Sequence, residues 1–212
     1  MQMHVNETIA MRLTGVRDAA RDTKVYEFEG VDNDVLPAAT AGAHIDLHLP
    51  NGIVRSYSLL ESGEMLSRYT VGVKREPASR GGSSFLHDSI RVGDVIRVGT
   101  PRNNFPLDEA AGHSVLIGGG IGITPILCMA KRLAQLGRPF ELHYACRDRE
   151  DVLSETGVES LETLRIHLDA EAGCVMDIGR IVSEAPPRSH FYCCGPAPML
   201  NAYEKATEGG PR

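Results

Sequence analysis

At 212 residues the chain has room for one or two self-supporting cores, and its net charge of -6 comes with no basic run, which excludes nucleic acid as the main partner. No apolar run approaches the roughly 20 residues that span a bilayer, and the opening MQMHVNETIAMRLTG lacks a secretory-signal layout, so no membrane association is expected. Five cysteines without disulfide-like spacing fit reduced thiols in the cytoplasm, and the adjacent Cys193-Cys194 pair is poorly placed to bridge to itself.

From Thr8 to Gly99, short alternating segments are separated by turn residues. Residues 9–16, 24–29, 44–49, 54–59, 69–73 and 92–98 each suit a strand, punctuated by Gly15, Gly30, Pro37, Gly42 and the hairpin signal Asn51-Gly52. Six short strands with no helical period before Ser83 predict an antiparallel six-stranded β-barrel, which removes its exposed edges by closing. A short helix is expected over residues 85–90. The polar stretch TPRNNFPLDEAAG, residues 100–112, places a domain boundary near Asp108, dividing the chain into 1–108 and 109–212.

The second half changes character at VLIGGGIGITP, residues 115–125. An apolar strand runs into Gly118, Gly119, Gly120 and Gly122, and Thr124-Pro125 leads into a helix over 125–136 that Gly137 stops. Strands over 140–146, 164–168 and 190–194 and a helix over 198–206 follow, while 148–164 is short and polar for a full crossover helix. Strand and helix in alternation predict a parallel-sheet α/β nucleotide-binding domain. Its ligand would lie beyond the carboxyl ends of the strands, along a rim of Gly118 to Thr124, Arg147-Asp148 and Gly195-Pro196. Glycines there let a backbone approach a flat or phosphorylated ligand, and the next helix offers free N–H groups. The spacing is not GxGxxG, since Ile123 stands in the third glycine's place, and a tight turn of any α/β domain explains the same letters.

Further residues carry possible chemistry. On a strand, Arg55 and Tyr57 of RSYSL project to one face about 7 Å apart, suiting a phosphate and a flat heterocycle, with the Ser58 hydroxyl near that ring's polar edge. An ordinary barrel strand with an exposed Arg and a packed Tyr fits equally. Arg80-Gly81-Gly82-Ser83 before a helix reads as a phosphate seat or as a plain serine cap, and Arg55 favours phosphate. Cys194 ends a strand on the rim, where a small polarizable thiol can pack beside a nicotinamide, with Cys193 toward the core; both also read as buried small hydrophobes. Asp148 is placed to accept bonds from an adenosine ribose and to disfavour a 2′-phosphate, which points to NADH. His44 and His48 share a strand face without a supporting ligand set, so no metal site is expected.

RSYSL at 55–59, VKREPASRGGSSFLHD at 73–88, TPRNNFPL at 100–107, GGGIGITP at 118–125, YACRD at 144–148 and YCCGPAPML at 192–200 occur in this order over nearly the whole chain. Together they resemble the phthalate dioxygenase reductase and vanillate demethylase reductase group of ferredoxin-reductase-like flavoproteins. The resemblance implies a flavin-binding barrel followed by an NAD-binding α/β domain. By matching position it implies that Arg55, Tyr57, Ser58 and Leu59 line the flavin with Val73 and Lys74, and that Gly81, Gly82 and Ser83 hold an FMN phosphate. Thr124 would approach the flavin and nicotinamide, and Gly119, Gly120, Arg147, Asp148, Cys194 and Gly195 the NADH. Ser58, Thr124 and Cys194 would then sit closest to hydride transfer, with the two rings face to face at about 3 to 3.5 Å.

The implied activity is that of an NADH-dependent, monomeric reductase component, passing electrons through FMN, or alternatively FAD, to an iron–sulfur acceptor of a Rieske-type oxygenase or demethylase. Members of the group usually continue into a last strand and a plant-type iron–sulfur domain with a C-x₄-C-x₂-C signature. The cysteines at 128, 146, 174, 193 and 194 form no such set, so the cluster is expected on a missing domain or a separate protein. A stand-alone flavin or ferric reductase, or a non-enzymatic module sensing nucleotide or redox state, would use the same residues.

Overall fold

A computed structural model of the chain describes residues 7–32, 35–78, 81–153 and 163–208. The chain divides into two compact units, Met1–Pro106 and Leu107–Arg212.

The first unit contains an antiparallel six-stranded sheet made of β1 (Thr8–Ala20), β2 (Thr23–Gly30), β3 (His44–His48), β4 (Val54–Ser58), β5 (Arg68–Lys74) and β6 (Val95–Gly99), in the order β4-β3-β6-β1-β2-β5. On five of the six strands, residues two apart point inward and are buried: Met11 and Leu13, Tyr26 and Phe28, Ile45 and Leu47, Tyr69, Val71 and Val73, Ile96 and Val98. Burying these inward faces curls the sheet, and its two ends meet. Leu59, just past β4, bridges Val71 of β5, and the Leu60 N–H donates to the Thr70 carbonyl at 2.9 Å. The meeting covers backbone groups that open edges would expose.

Local geometry shifts several strand ends from their expected places. β1 extends to Ala20 because register shifts between Leu13 and Gly15 and between Asp18 and Ala20 bend it along β2. β6 starts at Val95 rather than residue 92, because Gly93 takes φ 102° in a turn where the Arg91 N–H donates to Asp94 Oδ2 at 2.8 Å. The short helix α1 (Gly82–Asp88) begins three residues earlier than its pattern suggests. Seven residues cannot hold a helix alone, but Leu86 is buried in the barrel core and Tyr26 donates to its carbonyl at 2.9 Å, fixing the helix there.

The second unit is a parallel sheet of β7 (Ser114–Gly119), β8 (Phe140–Cys146), β9 (Leu164–Leu168) and β10 (His190–Cys194), in the order β10-β7-β8-β9. Every residue of β7 is buried, as a central strand covered on both faces requires. A 3-10 turn, Gly120–Gly122, leads into α2 (Ile123–Gln135), which packs against β7, β8 and β10. Gly137, with φ 63°, follows its end. α3 (Asp169–Ala172) and α4 (Ile178–Glu184) follow β9, and α5 (Ala197–Thr207) follows β10. Ile178 of α4 packs with Val115 and Ile117, and α4 also packs against α5. α3 and α4 leave little periodic trace in the sequence: α4 is seven residues long with only Ile178 buried, and Asp177 caps it by accepting from the Arg180 N–H at 2.9 Å. Of the segment 148–164, Arg149–Asp151 is a 3-10 turn, and residues 154–162 lie outside the described ones.

Candidate functional site

The sheet order of the second unit determines where a ligand can sit. β7 lies between β8, the next strand in the chain, and β10, the last, so connections leave the carboxyl end of the sheet to opposite sides at β7 and β10. Such a switch point opens a crevice beyond the strand ends. The loop from Gly118 to Thr124 leaves β7 there, and Gly195-Pro196 leaves β10.

These two loops pack on each other. A Cβ on Gly119 would stand 2.7 Å from Met199 Cε and 2.9 Å from Pro196 Cδ, and one on Gly195 would stand 2.6 Å from Met199 Sδ. A Cβ on Gly122 would collide with the Cys194 carbonyl, and one on Gly118 would lie 2.6 Å from Ile123 Cδ1. Gly122 meets backbone and Gly119 meets the Pro196 ring, so these two need glycine for the loops to close, whereas at Gly118 and Gly195 the nearest atoms are the side-chain tips of Ile123 and Met199. Gly120 differs, with φ 52° and nothing within 4 Å of its Cβ direction, so it faces open space in the left-handed region. Met199, which touches both loops, was not singled out from the sequence, where its only signal is its place in GPAPML.

Thr124 is 5% exposed and its Oγ1 donates to the Ile121 carbonyl at 3.0 Å, so its hydroxyl braces the loop and retains its lone pairs as acceptors. Cys193 packs with the cluster of Val115, Ile117 and Ile178, and burial pushes its thiol up to about 12, with Cys194 adding to the shift. Burial raises the Cys194 thiol as well. Both are neutral near pH 7 and serve as packing atoms rather than nucleophiles. Asp148 caps the turn after β8, Oδ1 accepting from the Glu150 N–H at 3.0 Å, while Arg147 is exposed and its carbonyl accepts from the Ala170 N–H at 2.9 Å. Tyr144 stabilises the same turn, donating to the Asp151 carbonyl at 3.4 Å and accepting from the Leu153 N–H at 3.3 Å.

In the first unit, the structure brings together Arg55 and the glycine pair. A Cβ on Gly82 would lie 2.7 Å from Arg55 Cγ and 3.1 Å from its Nε, so the Arg55 side chain crosses the start of α1. Gly81 takes φ 90° there, a conformation that favours glycine, and buried Ser83 accepts through Oγ from the Glu76 N–H at 3.1 Å. Arg80 lies outside the described residues. Tyr57 shares the Arg55 face of β4; burial raises its hydroxyl pKa and the Arg55 charge opposes the rise. Arg55 Nη1 donates to the Val54 carbonyl at 2.7 Å.

Further candidate residues lie along this strand and its neighbour. Period-two alternation puts Ser58 with Val54 and Ser56, on the opposite face from Tyr57, so its hydroxyl does not continue the Arg55–Tyr57 row. Leu59 and Val73 are each 1% exposed in the barrel core, so neither presents its side chain to a ligand. The Val73 carbonyl already lies 2.9 Å from His87 Nε2. Lys74 remains half-buried at the end of β5. Among the described residues, no three His, Cys, Asp or Glu side chains gather as metal ligands, and no helix is long and apolar enough to cross a membrane.

Residues 116–205 match the family described as oxidoreductase NAD-binding domain. The phenoxybenzoate dioxygenase subunit beta of Ectopseudomonas oleovorans is 46% identical over 95% of this chain and 63% of its own length. The vanillate O-demethylase oxidoreductase of Pseudomonas putida is 44% identical over 86% of this chain and 58% of its own. A solved phthalate dioxygenase reductase, described as a modular structure for electron transfer from pyridine nucleotides to [2Fe-2S], superposes with a TM-score of 0.89 at 33% identity. That superposition covers 96% of this chain and 65% of the other. The chain therefore spans less than two thirds of the length of these relatives. With an antiparallel six-stranded unit preceding a parallel α/β unit, and with these identities over nearly all of its length, the chain is similar to the reductases of the phthalate dioxygenase and vanillate O-demethylase group and carries the fold of ferredoxin-reductase-like proteins.

Proposed function

We propose that the chain is an NADH-dependent flavoprotein reductase, passing electrons from NADH through FMN to an iron–sulfur acceptor of a Rieske-type oxygenase or demethylase system. The observation that carries this reading is the Arg55 side chain crossing Gly82, with the Tyr57 ring two residues along the same face. A guanidinium over a side-chain-free backbone suits a phosphate, and a half-buried aromatic suits a flat ring. When bound, the flavin supplies the exchange between a two-electron hydride donor and one-electron acceptors. FMN is favoured over FAD because Arg55 and the Gly81-Gly82-Ser83 turn fit around a terminal phosphate.

The chain's own residues bind and orient. Arg55, Tyr57 and the Gly81 to Ser83 turn would hold the flavin, with Lys74 beside them and Ser58 acting from the strand end, while the buried Leu59 and Val73 would support these residues from the barrel core. Gly120, Thr124, Cys194 and Gly195 would take the nicotinamide end of NADH, and Arg147 and Asp148 the adenosine end; Gly119 supports them by letting the two loops close. Hydride transfer needs no general acid or base, and the neutral Cys194 thiol and the braced Thr124 hydroxyl agree with that demand. The partner would be an iron–sulfur protein or domain with its oxygenase, and the setting the cytoplasm, with the chain acting as a monomer.

The test is the cofactor content of the purified chain. Stoichiometric FMN, with NADH-dependent reduction of ferricyanide, is expected. Colourless protein that takes up no added flavin would overturn the reading.

A further inference from the structure

We infer that Asp46 is a positioning residue for β4, held between Ser56 and Arg102; the inference rests on the reading of β4 as the flavin-binding strand. Asp46 on β3 stands directly opposite Ser56 on β4 in the antiparallel register. Ser56 Oγ donates to Asp46 Oδ1 at 2.6 Å, and Arg102 Nη2 donates to Asp46 Oδ2 at 2.5 Å. Ser56 lies between Arg55 and Tyr57 in the chain, and its side chain points to the other face of the strand.

The strand needs such a tie. β4 ends the sheet order, and among the described residues its ladder partner along its length is β3, with the Leu59–Val71 bridge only beyond its last residue. A carboxylate 9% exposed is unfavourable unless its oxygens are both bonded and its charge is met. Ser56 and Arg102 meet these needs from two sides.

Arg102 is itself anchored. Its backbone pairs with His44, the Arg102 N–H donating at 3.0 Å and the Arg102 carbonyl accepting at 2.9 Å. Asn103 follows, donating to Thr40 Oγ1 at 2.7 Å and to the Ala41 carbonyl at 2.9 Å. Arg102 and Asn103 of TPRNNFPL therefore fasten the segment after β6 across β3 and, through Asp46, onto the back of β4. The front of that residue triplet carries Arg55 and Tyr57. Loss of the tie lets β4 shift relative to Gly82 and loosens the proposed phosphate grip.

The experiment titrates FMN into the full chain carrying Ser56→Ala, Arg102→Met, both together, or Ser56→Thr, reading the dissociation constant, the visible circular dichroism of bound flavin and the unfolding temperature of the flavin-free form. Each single change should weaken FMN by about 5- to 10-fold, the scale of one ordinary hydrogen bond, and alter the flavin dichroism. The double variant should lose less than the product of the two singles, because both act through one carboxylate. Ser56→Thr, which keeps the hydroxyl, should restore affinity, and Arg97→Met, which breaks bonds to Thr8 elsewhere on the barrel, should leave it unchanged. Lowered unfolding temperature with unaltered FMN affinity and dichroism would make the trio purely structural and overturn the inference alone. A parent chain that binds no flavin would overturn both this inference and the function proposed above.

Discussion

Arg55 and Gly82 are in mutual contact: the Arg55 side chain occupies the space a Gly82 side chain would need, 2.7 Å from Cγ to the position of a Cβ. Two stretches of sequence 27 positions apart thereby form one cationic seat at the start of α1. Arg55→Ala should weaken FMN binding by about 10- to 100-fold, the scale of a lost charge-assisted contact, and leave the KM for NADH nearly unchanged. Gly82→Ala should weaken FMN in the same direction without removing any charge, by displacing the guanidinium. Flavin fluorescence titration and steady-state kinetics read both effects, and equal losses for FMN and NADH would remove Arg55 from the phosphate.

The rim glycines should separate by what their missing side chains would meet. Gly122→Ala presses on the Cys194 carbonyl, a backbone atom that cannot rotate away, and should destabilise the chain by about 1 to 3 kcal/mol. Gly120→Ala meets open space but must hold φ 52°, which costs about 1 kcal/mol. Thermal unfolding should therefore rank Gly122→Ala as the more damaging, and the reverse order would mean that the two loops are not closed on each other.

Asp148 combines a cap with a charge, and two substitutions pull the roles apart. Asn keeps an oxygen able to accept from the Glu150 N–H, so Asp148→Asn should leave stability within about 0.5 kcal/mol and raise the NADPH-to-NADH ratio of kcat/KM. Asp148→Ala should raise the same ratio and lose the cap too, at about 1 kcal/mol of local stability. An unchanged coenzyme ratio in both variants would show that Asp148 serves the turn and does not read the ribose.

His143 makes stability depend on pH. Its imidazole is 7% exposed, and burial lowers its pKa below 6.5, aided by the Arg165 charge and opposed by the hydrogen bond and charge of Glu141, whose Oε2 is 3.1 Å away. The unfolded chain protonates this group more readily than the folded one. Stability should hold above about 6.5, fall as the pH drops below it, and level off under the lowered folded pKa. Urea midpoints at pH 7.5 and 5.5 should differ less in His143→Gln than in the parent chain. A parent and variant with the same pH slope would assign the acid sensitivity to other groups.

Local pattern alone located much of this molecule. The bounds of β8, β9 and β10, the shared face of Arg55 and Tyr57, and the glycine loop between β7 and α2 are readable because alternation and turn chemistry act over a few residues. The same alternation, applied one residue further, moves Ser58 off the Tyr57 face. The short helices α3 and α4 escaped because a turn or two with one buried residue carries no measurable period. Only the tertiary structure decided that Gly122 faces the Cys194 carbonyl, that Met199 wedges against both Gly119 and Gly195, and that Arg102 reaches Asp46 from 56 positions away. Those contacts arise when a sheet closes or two loops meet. Their partners depend on how distant segments pack, which no short window of residues encodes.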